Sequence, residues 1–411
     1  MPRPRLSPTL PLYVGGFLGP FGAGVLSVLI PQVREAFDTG TAHVALAMPA
    51  YLIPFAVFQL FSGTVGERLG RRRAVTAGYL AYAVFSLCAA LAPSIGVFLM
   101  CRAAQGIANA FITPLLLAGL ADVVDMKRLG RSVGTFAAVQ TAAIALAPLT
   151  GGLLGAVDWR LAFVVPAGVA AALAFLAPAD IERAVGGEQP RFRSIMTRRV
   201  GYLCAAAFTG FAGLAGLSFI VALRLEDAFA LDSAGRGLVL AGFGVAGVLF
   251  GRAAGSAADR FGRVAVAVAG ALVSASLVSL IGFAGSEGTT AALWFAVGAS
   301  STLVWAGLNT LIVEAVPENR AGATSVFGAF KFAGSAFAPL MFLPLYEADP
   351  RAAFLAAGAF AVAAAAFSLP LRASGRPAMG PQVDPEAGLQ QLFGGVEAGG
   401  PGAGDAGRRH Q

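Results

Sequence analysis

Two cations stand where cations are costly. Arg102 separates the uncharged runs 74–101 and 103–121, and Lys331 alone interrupts the apolar stretch 321–346. A charge at such depth in lipid costs ~2.5–3.5 kcal/mol on insertion scales, so each must face a protein interior or a wet cavity. The chemistry open to them is pairing with an anion, donation to backbone carbonyls, or, for a desolvated lysine, exchange of a proton. The other deep polar groups are Gln59, Gln105, Asn109, Gln140 and Asn309, with Tyr51, Phe17, Phe21 and Trp305 able to supply apolar and stacking surface. Both histidines, His43 and His410, are peripheral. No nucleophile–base pair, phosphate loop or metal cluster is legible, so neither enzyme chemistry, a cofactor nor a metal is expected. Cys88, Cys101 and Cys204 sit in apolar stretches without ligand spacing and read as small buried hydrophobes.

The elements that position these residues follow from composition. Hydrophobic residues make up 57% of the 411 and charged residues 12%, about half the roughly 25% charged usual in soluble chains. Ten runs of nineteen or more residues lack any charge: 6–33, 39–66, 74–101, 103–121, 132–157, 161–179, 200–223, 264–286, 288–313 and 352–371. Two more segments qualify, 321–346 around Lys331 and 237–251 between Arg236 and Arg252, whose stems are expected to snorkel to the interfaces. That predicts twelve membrane-crossing helices of ~20 residues each. The runs are continuously apolar rather than alternating, which excludes a barrel. Prolines at 49, 54, 114, 148 and 339 predict kinks. Residues 1–30 read as an uncleaved first span, being too long for a signal peptide's apolar core. Residues 373–411, rich in Gly, Ala and Pro, read as a disordered tail.

With the N-terminus inside, cytoplasmic segments carry 18 Lys and Arg up to residue 371 against 5 outside. This excess predicts a cell (plasma or inner) membrane protein with both termini in the cytoplasm. It also accounts for the net charge of +7 without a nucleic-acid partner. The chain repeats itself as well. Gly63–Arg73 is echoed by Gly255–Arg263 at an offset of 192, while Asp158-Trp-Arg160 and Ala147-Pro148 reappear as Asp349-Pro-Arg351 and Ala338-Pro339 at 191. The expected plan is an all-α membrane protein of two pseudo-symmetric six-helix bundles, 1–178 and 201–372. A cytoplasmic linker, 179–200, joins them, and a shared cavity opens to either side in turn as they rock.

Three motifs carry a family likeness. The loop Gly63-x-x-x-Glu67-Arg68-x-Gly70-Arg71-Arg72-Arg73 and its copy Gly255-x-x-x-Asp259-Arg260-Phe261-Gly262-Arg263 resemble the signature loop of the major facilitator superfamily. Gly63 is expected to permit close helix approach and Gly70 a tight turn. The resemblance implies a cytoplasmic latch made by the acid and its arginines, partly against the N-terminal end of the eleventh helix. Glu67 stands where the family has Asp, which lengthens the acid by a methylene. Arg102-Ala-Ala-Gln105-Gly106 is similar to an R-x-x-Q-G motif that the family links to proton coupling or substrate handling; a buried clamp onto neighbouring carbonyls is the alternative. Gly134, Pro148, Gly151 and Gly152 fit the fifth-helix motif of the twelve-helix drug/proton antiporter branch, with Ala143 and Ala147 replacing two of its glycines.

The resemblance implies that helices 1, 2, 4, 5, 7, 8, 10 and 11 line the path, which makes Tyr51, Gln59, Arg102, Gln105, Asn109, Gln140, Trp305, Asn309 and Lys331 the candidate cavity residues. Gln140 and Lys331 each lie eight residues before an Ala-Pro proline, in equivalent places of the two halves. No carboxylate lies deep in any span, so a neutral or anionic substrate is favoured. The expected function is secondary active transport of small organic molecules by a monomer, as a multidrug-type efflux permease coupled to protons. Import or exchange of an organic anion, and a non-transporting receptor on the same fold, remain open. The groups available to carry a proton are Glu67, Asp122, Asp259, Glu314, His43 and Lys331.

Overall fold

The computed structural model describes residues 9–124, 126–176 and 195–372. The expected tail, 373–411, and most of the expected linker lie outside them. The described chain is helical nearly throughout, because a backbone in lipid must satisfy its own N–H and C=O groups.

The first half runs α1 (Leu10–Gly24), a 3₁₀ turn (Val25–Val28), α2 (Ile30–Ala36), α3 (Thr41–Ala45), α4 (Ala47–Leu69), α5 (Arg71–Ala90), α6 (Ile95–Ala110), α7 (Thr113–Val123), α8 (Met126–Gly155) and α9 (Leu161–Phe175). The second half runs α10 (Arg198–Gly213), a 3₁₀ turn (Ala215–Leu217), α11 (Ser218–Phe229), α12 (Ser233–Phe261), α13 (Arg263–Ile281), α14 (Glu287–Ala315), α15 (Arg320–Ala348) and α16 (Pro350–Ser368). Eleven stretches among the described residues are long and apolar enough to cross a bilayer. The twelfth expected crossing, α9, has 15 described residues, or about 22 Å at 1.5 Å per residue. The remainder of its apolar run lies beyond the described residues.

The outward faces are apolar: Phe61, Leu238, Leu249 and Leu272 are exposed. That inverts the pattern of a soluble protein and suits a lipid solvent. Polar side chains gather at the helix ends instead. Ser94, Asp232, Ser286 and Asn319 each accept a backbone N–H from the residue three positions on, capping the orphan donors of α6, α12, α14 and α15.

The internal repeat extends to backbone detail. Gly70 and Gly262 both take positive φ, +86° and +92°, at the turn between consecutive helices. Asp38 and Ala230, offset by 192, are the two described non-glycine residues with positive φ. The Asp158 and Asp349 carboxylates each accept the N–H of the arginine two residues on, both at 2.9 Å. The first and seventh crossings are both broken by a 3₁₀ turn. The fourth crossing breaks at Phe111–Ile112 while its counterpart α14 is continuous. There Pro114, expected to kink a helix, instead lies in the first turn of a new one, where its missing N–H costs nothing.

Candidate functional site

Arg102 forms the centre of a polar knot inside the first half. It is fully buried, and α6 aims it back between α1 and α4. Its Nη2 donates to Gly22 O at 2.9 Å and its Nε to Ala47 O at 3.4 Å. Its Nη1 donates to Gln105 Oε1 at 2.8 Å, and Gln105 Nε2 donates to Ser86 Oγ at 2.6 Å. The guanidinium stacks 4.4 Å from the Tyr51 ring centroid, and Tyr51 Oη donates to Gly19 O at 3.2 Å. Gly106 brings α6 against the backbone of Tyr51, where a Cβ would collide with its carbonyl. The fork of an arginine thus ties three helices together. This is the geometry of a clamp, with Arg102, Gln105 and Tyr51 all outside the lining of the central cavity. Asn109 is buried nearby, accepting from Thr113 Oγ1 at 3.1 Å with its Nδ2 unpartnered.

The central cavity, of about 140 Å³, lies between α1, α4, α8, α10, α12, α14 and α15. Gln140 from α8 and Lys331 from α15 both line it, facing in from equivalent places of the repeat. Lys331 is the single charged residue of that lining. Its Nζ lies 4.7, 5.9 and 6.0 Å from the ring centroids of Phe211, Trp305 and Phe332. No described carboxylate pairs with it. Trp305 therefore belongs to the lysine's surroundings, packed 4.4 Å from Phe211. Gln59 is buried beside Gly328 with its Nε2 unpartnered. Asn309 is exposed and does not line this cavity. Phe17 and Phe21 stack on one another and line a separate apolar pocket with Leu146 and Val165. A larger groove, about 840 Å³ and bordered by Leu60, Cys204, Phe208 and Phe330, is apolar apart from Thr197, Arg198 and Thr209. Lacking converging polar groups, it is the weaker candidate site.

The two ends of the molecule differ. On the side of the α8 C-terminus, Gly152 meets Ser233 and Gly237 meets Pro148 so closely that a Cβ on either would collide with backbone. Ser233 Oγ donates to Gly152 O at 3.0 Å. Arg236 donates to Val28 O at 3.1 Å and pairs with Glu226 Oε2 at 3.1 Å. The snorkelling expected of Arg236 therefore does not occur: its side chain is 4% exposed, because an acid and two carbonyls offer partners inward. Arg252, at the other end of that segment, is exposed as expected. Gly151 packs against Val25 O, in keeping with the small-residue face of α8, whose described backbone includes Gly134.

At the opposite end, Gly63 and Gly255 meet nothing within 4 Å. The close approach expected at Gly63 is absent: a Cβ there would meet open space. Arg68, Gly70, Asp259 and Arg260 are exposed, and the Arg260 guanidinium stacks on the Phe261 ring. Arg263 pairs with Glu314. Asp259 has no cationic partner among the described residues, and Asn319 fills the N-terminal cap of α15. The Glu67 side chain lies outside those described, while Arg71 and Arg72 are partnered.

The sequence did not single out the Glu226–Arg236 pair, although an acid and a base flanking the 230–232 turn were available as a signal. Phe211 and Phe332 were also missed, because one phenylalanine in a span is indistinguishable from another by sequence.

Comparison with known proteins places these features in context. A family model described as Major Facilitator Superfamily matches residues 12–194 and again 203–398. The drug efflux pump JefA of Mycobacterium tuberculosis is 31% identical over 166 residues, 40% of this chain and 32% of that protein. The tetracenomycin C resistance and export protein of Streptomyces glaucescens is 30% identical over 189 residues, 44% of this chain and 35% of that protein. The chain thus matches about a third of the length of these curated relatives. Among solved structures, a bacterial homologue of the human lysosomal transporter Spinster, inward-facing and occupied, superposes with a TM-score of 0.73 at 17% identity, covering 89% of this chain and 96% of that one. A D-xylose–proton symporter gives 0.71 at 17%, covering 88% and 96%. At such identity these two show a shared fold alone.

Proposed function

Because the chain belongs to the major facilitator superfamily, and is a multi-span membrane transporter of small molecules, we propose that it exports a small neutral or anionic organic compound by alternating access. The carrying observation is Lys331, the single charge among the described residues that line a cavity between the two halves, with none of those residues a carboxylate. A half-buried cation without a counter-ion among the described residues favours an anion as its partner and penalises a cation by repulsion and desolvation.

In this reading residues 1–178 and 201–372 rock as two bodies joined by 179–200. The chain lies in the cell membrane with both termini in the cytoplasm, so the end bearing Gly63 and Gly255, which this reading takes as the open one, is the cytoplasmic one. Substrate enters there while Gly152, Ser233, Gly237 and Arg236 hold the outer end shut. Closing the inner end brings together the latch loops, Glu67–Arg72 and Asp259–Arg263. Lys331 stays protonated while it takes the anion from the cytoplasm and releases it outside, and a proton carried inward on another titratable group, such as Asp259 or Glu314, makes the exchange an antiport. The drug efflux activity of JefA and of the tetracenomycin exporter supports the outward direction.

Proteoliposomes test it. A proton gradient, acidic on the side corresponding to the cell exterior, should drive organic anions toward that side. Lys331→Ala should abolish the charge preference while inserting normally. Uptake in the reverse direction would make the protein an importer, and equal handling of cationic and anionic dyes would remove Lys331 from substrate selection.

A further inference from the structure

The proposed transport site has a size and a wall chemistry that narrow its cargo. At about 140 Å³, the cavity is well under the roughly 300–1,000 Å³ of sites that enclose drug-sized ligands. Its walls are aromatic on two sides. Phe211 and Phe332 stand around Lys331 on one, and Phe243 and Trp294, 4.9 Å apart and inclined by 31°, form the other. The Lys331 ammonium has ring faces about it but neither a carboxylate nor a carbonyl acceptor among the described residues. Gln140, also in the lining, contributes an amide able both to donate and to accept.

Resting on the transport reading above, we propose that the cargo is a single-ring aromatic monocarboxylate with a polar substituent opposite the acid. The carboxylate takes the open donors of Lys331. The ring lies between the Phe211/Phe332 and Phe243/Trp294 walls in offset or edge contact, and the far substituent reaches Gln140. One cation accepts one anion, so a dicarboxylate leaves a second charge desolvated and is rejected.

Full-length, detergent-solubilised protein titrated calorimetrically with 4-hydroxybenzoate, 4-hydroxybenzyl alcohol and 4-hydroxybenzylamine tests this without any variant. The acid should bind at least about tenfold more tightly than the alcohol, the margin of a charge-assisted contact, and the amine should not bind. Tryptophan emission gives a second readout, since two of the three tryptophans, Trp294 and Trp305, lie at or beside the cavity while Trp159 packs among Phe37, Phe98 and Phe163. Lys331→Gln should erase the preference for acid over alcohol, and Lys331→Arg should retain it. Equal binding of acid and alcohol, or an acid preference surviving Lys331→Gln, would overturn the assignment. Proteoliposomes that carry other organic anions but neither bind nor move 4-hydroxybenzoate would overturn this cargo and leave the transport reading intact. Saturable, Lys331-dependent binding with no movement of the acid would support the site while sinking that reading.

Discussion

The two deep cations show how one residue property, a charge in lipid, resolves in two ways. Arg102 is satisfied by the protein itself, with carbonyls from two other helices and Gln105 taking its donors. Lys331 has rings about it and no such acceptors among the described residues. In the proposed reading, the difference gives Arg102 a structural role and Lys331 a substrate-facing one. Arg102→Ala should lower the apparent melting temperature of the purified protein, since each charge-assisted bond contributes about 1.5–3 kcal/mol. Arg102→Lys should not restore it, because an ammonium cannot fork to separate carbonyls. Unaltered melting with transport lost would instead assign Arg102 to substrate handling. From sequence alone both cations carried the same signal, a basic residue in an apolar run. Only the third dimension distinguishes them, because carbonyl acceptors leave no trace in residue type.

At the scale of elements, small residues govern where helices touch. Gly237 on α12 sits against the backbone of Pro148 on α8, so any larger side chain must push these two helices apart at the end proposed to face outward. Overpacking costs ~1–3 kcal/mol, enough to change an open–closed ratio by about tenfold. Gly237→Leu should therefore increase labelling of a cysteine placed at Ser27, a cavity-lining position, by a membrane-impermeant maleimide added outside to an otherwise cysteine-free protein. An unchanged labelling rate would mean that this contact does not hold the outer end closed. The apolar runs, the motif loops and the offset near 191 were all legible in the sequence. The breaks at 25–28, 111–112 and 214–217 were not, because a helix broken in the middle of a uniformly apolar run keeps the run's composition. The Asp38 and Ala230 turns were equally silent, since neither residue type announces a positive φ.

The glycines differ from one end of the helices to the other: Gly152 and Gly237 lie against backbone, while Gly63 and Gly255 face open space. At the end bearing the latter pair, Asp259 has no cationic partner among the described residues, while Arg263 is held by Glu314. If the loops latch only when that end closes, Asp259→Ala should slow turnover several-fold with the Michaelis constants of different substrates keeping their order. A reordered preference would instead place Asp259 at the substrate.

The solitary charge on the cavity wall has an electrical consequence. A cycle that carries a monoanion outward on Lys331 moves net charge across the bilayer, so an inside-negative voltage assists export by about 2.3 kcal/mol per charge for each 100 mV. Potassium-loaded vesicles clamped with valinomycin should display export currents that grow with the imposed potential and persist when the pH gradient is collapsed. Electroneutral behaviour would require a compensating ion to travel with the anion. A carrier wired in this way draws on the resting polarity of the cell as well as on its acidity.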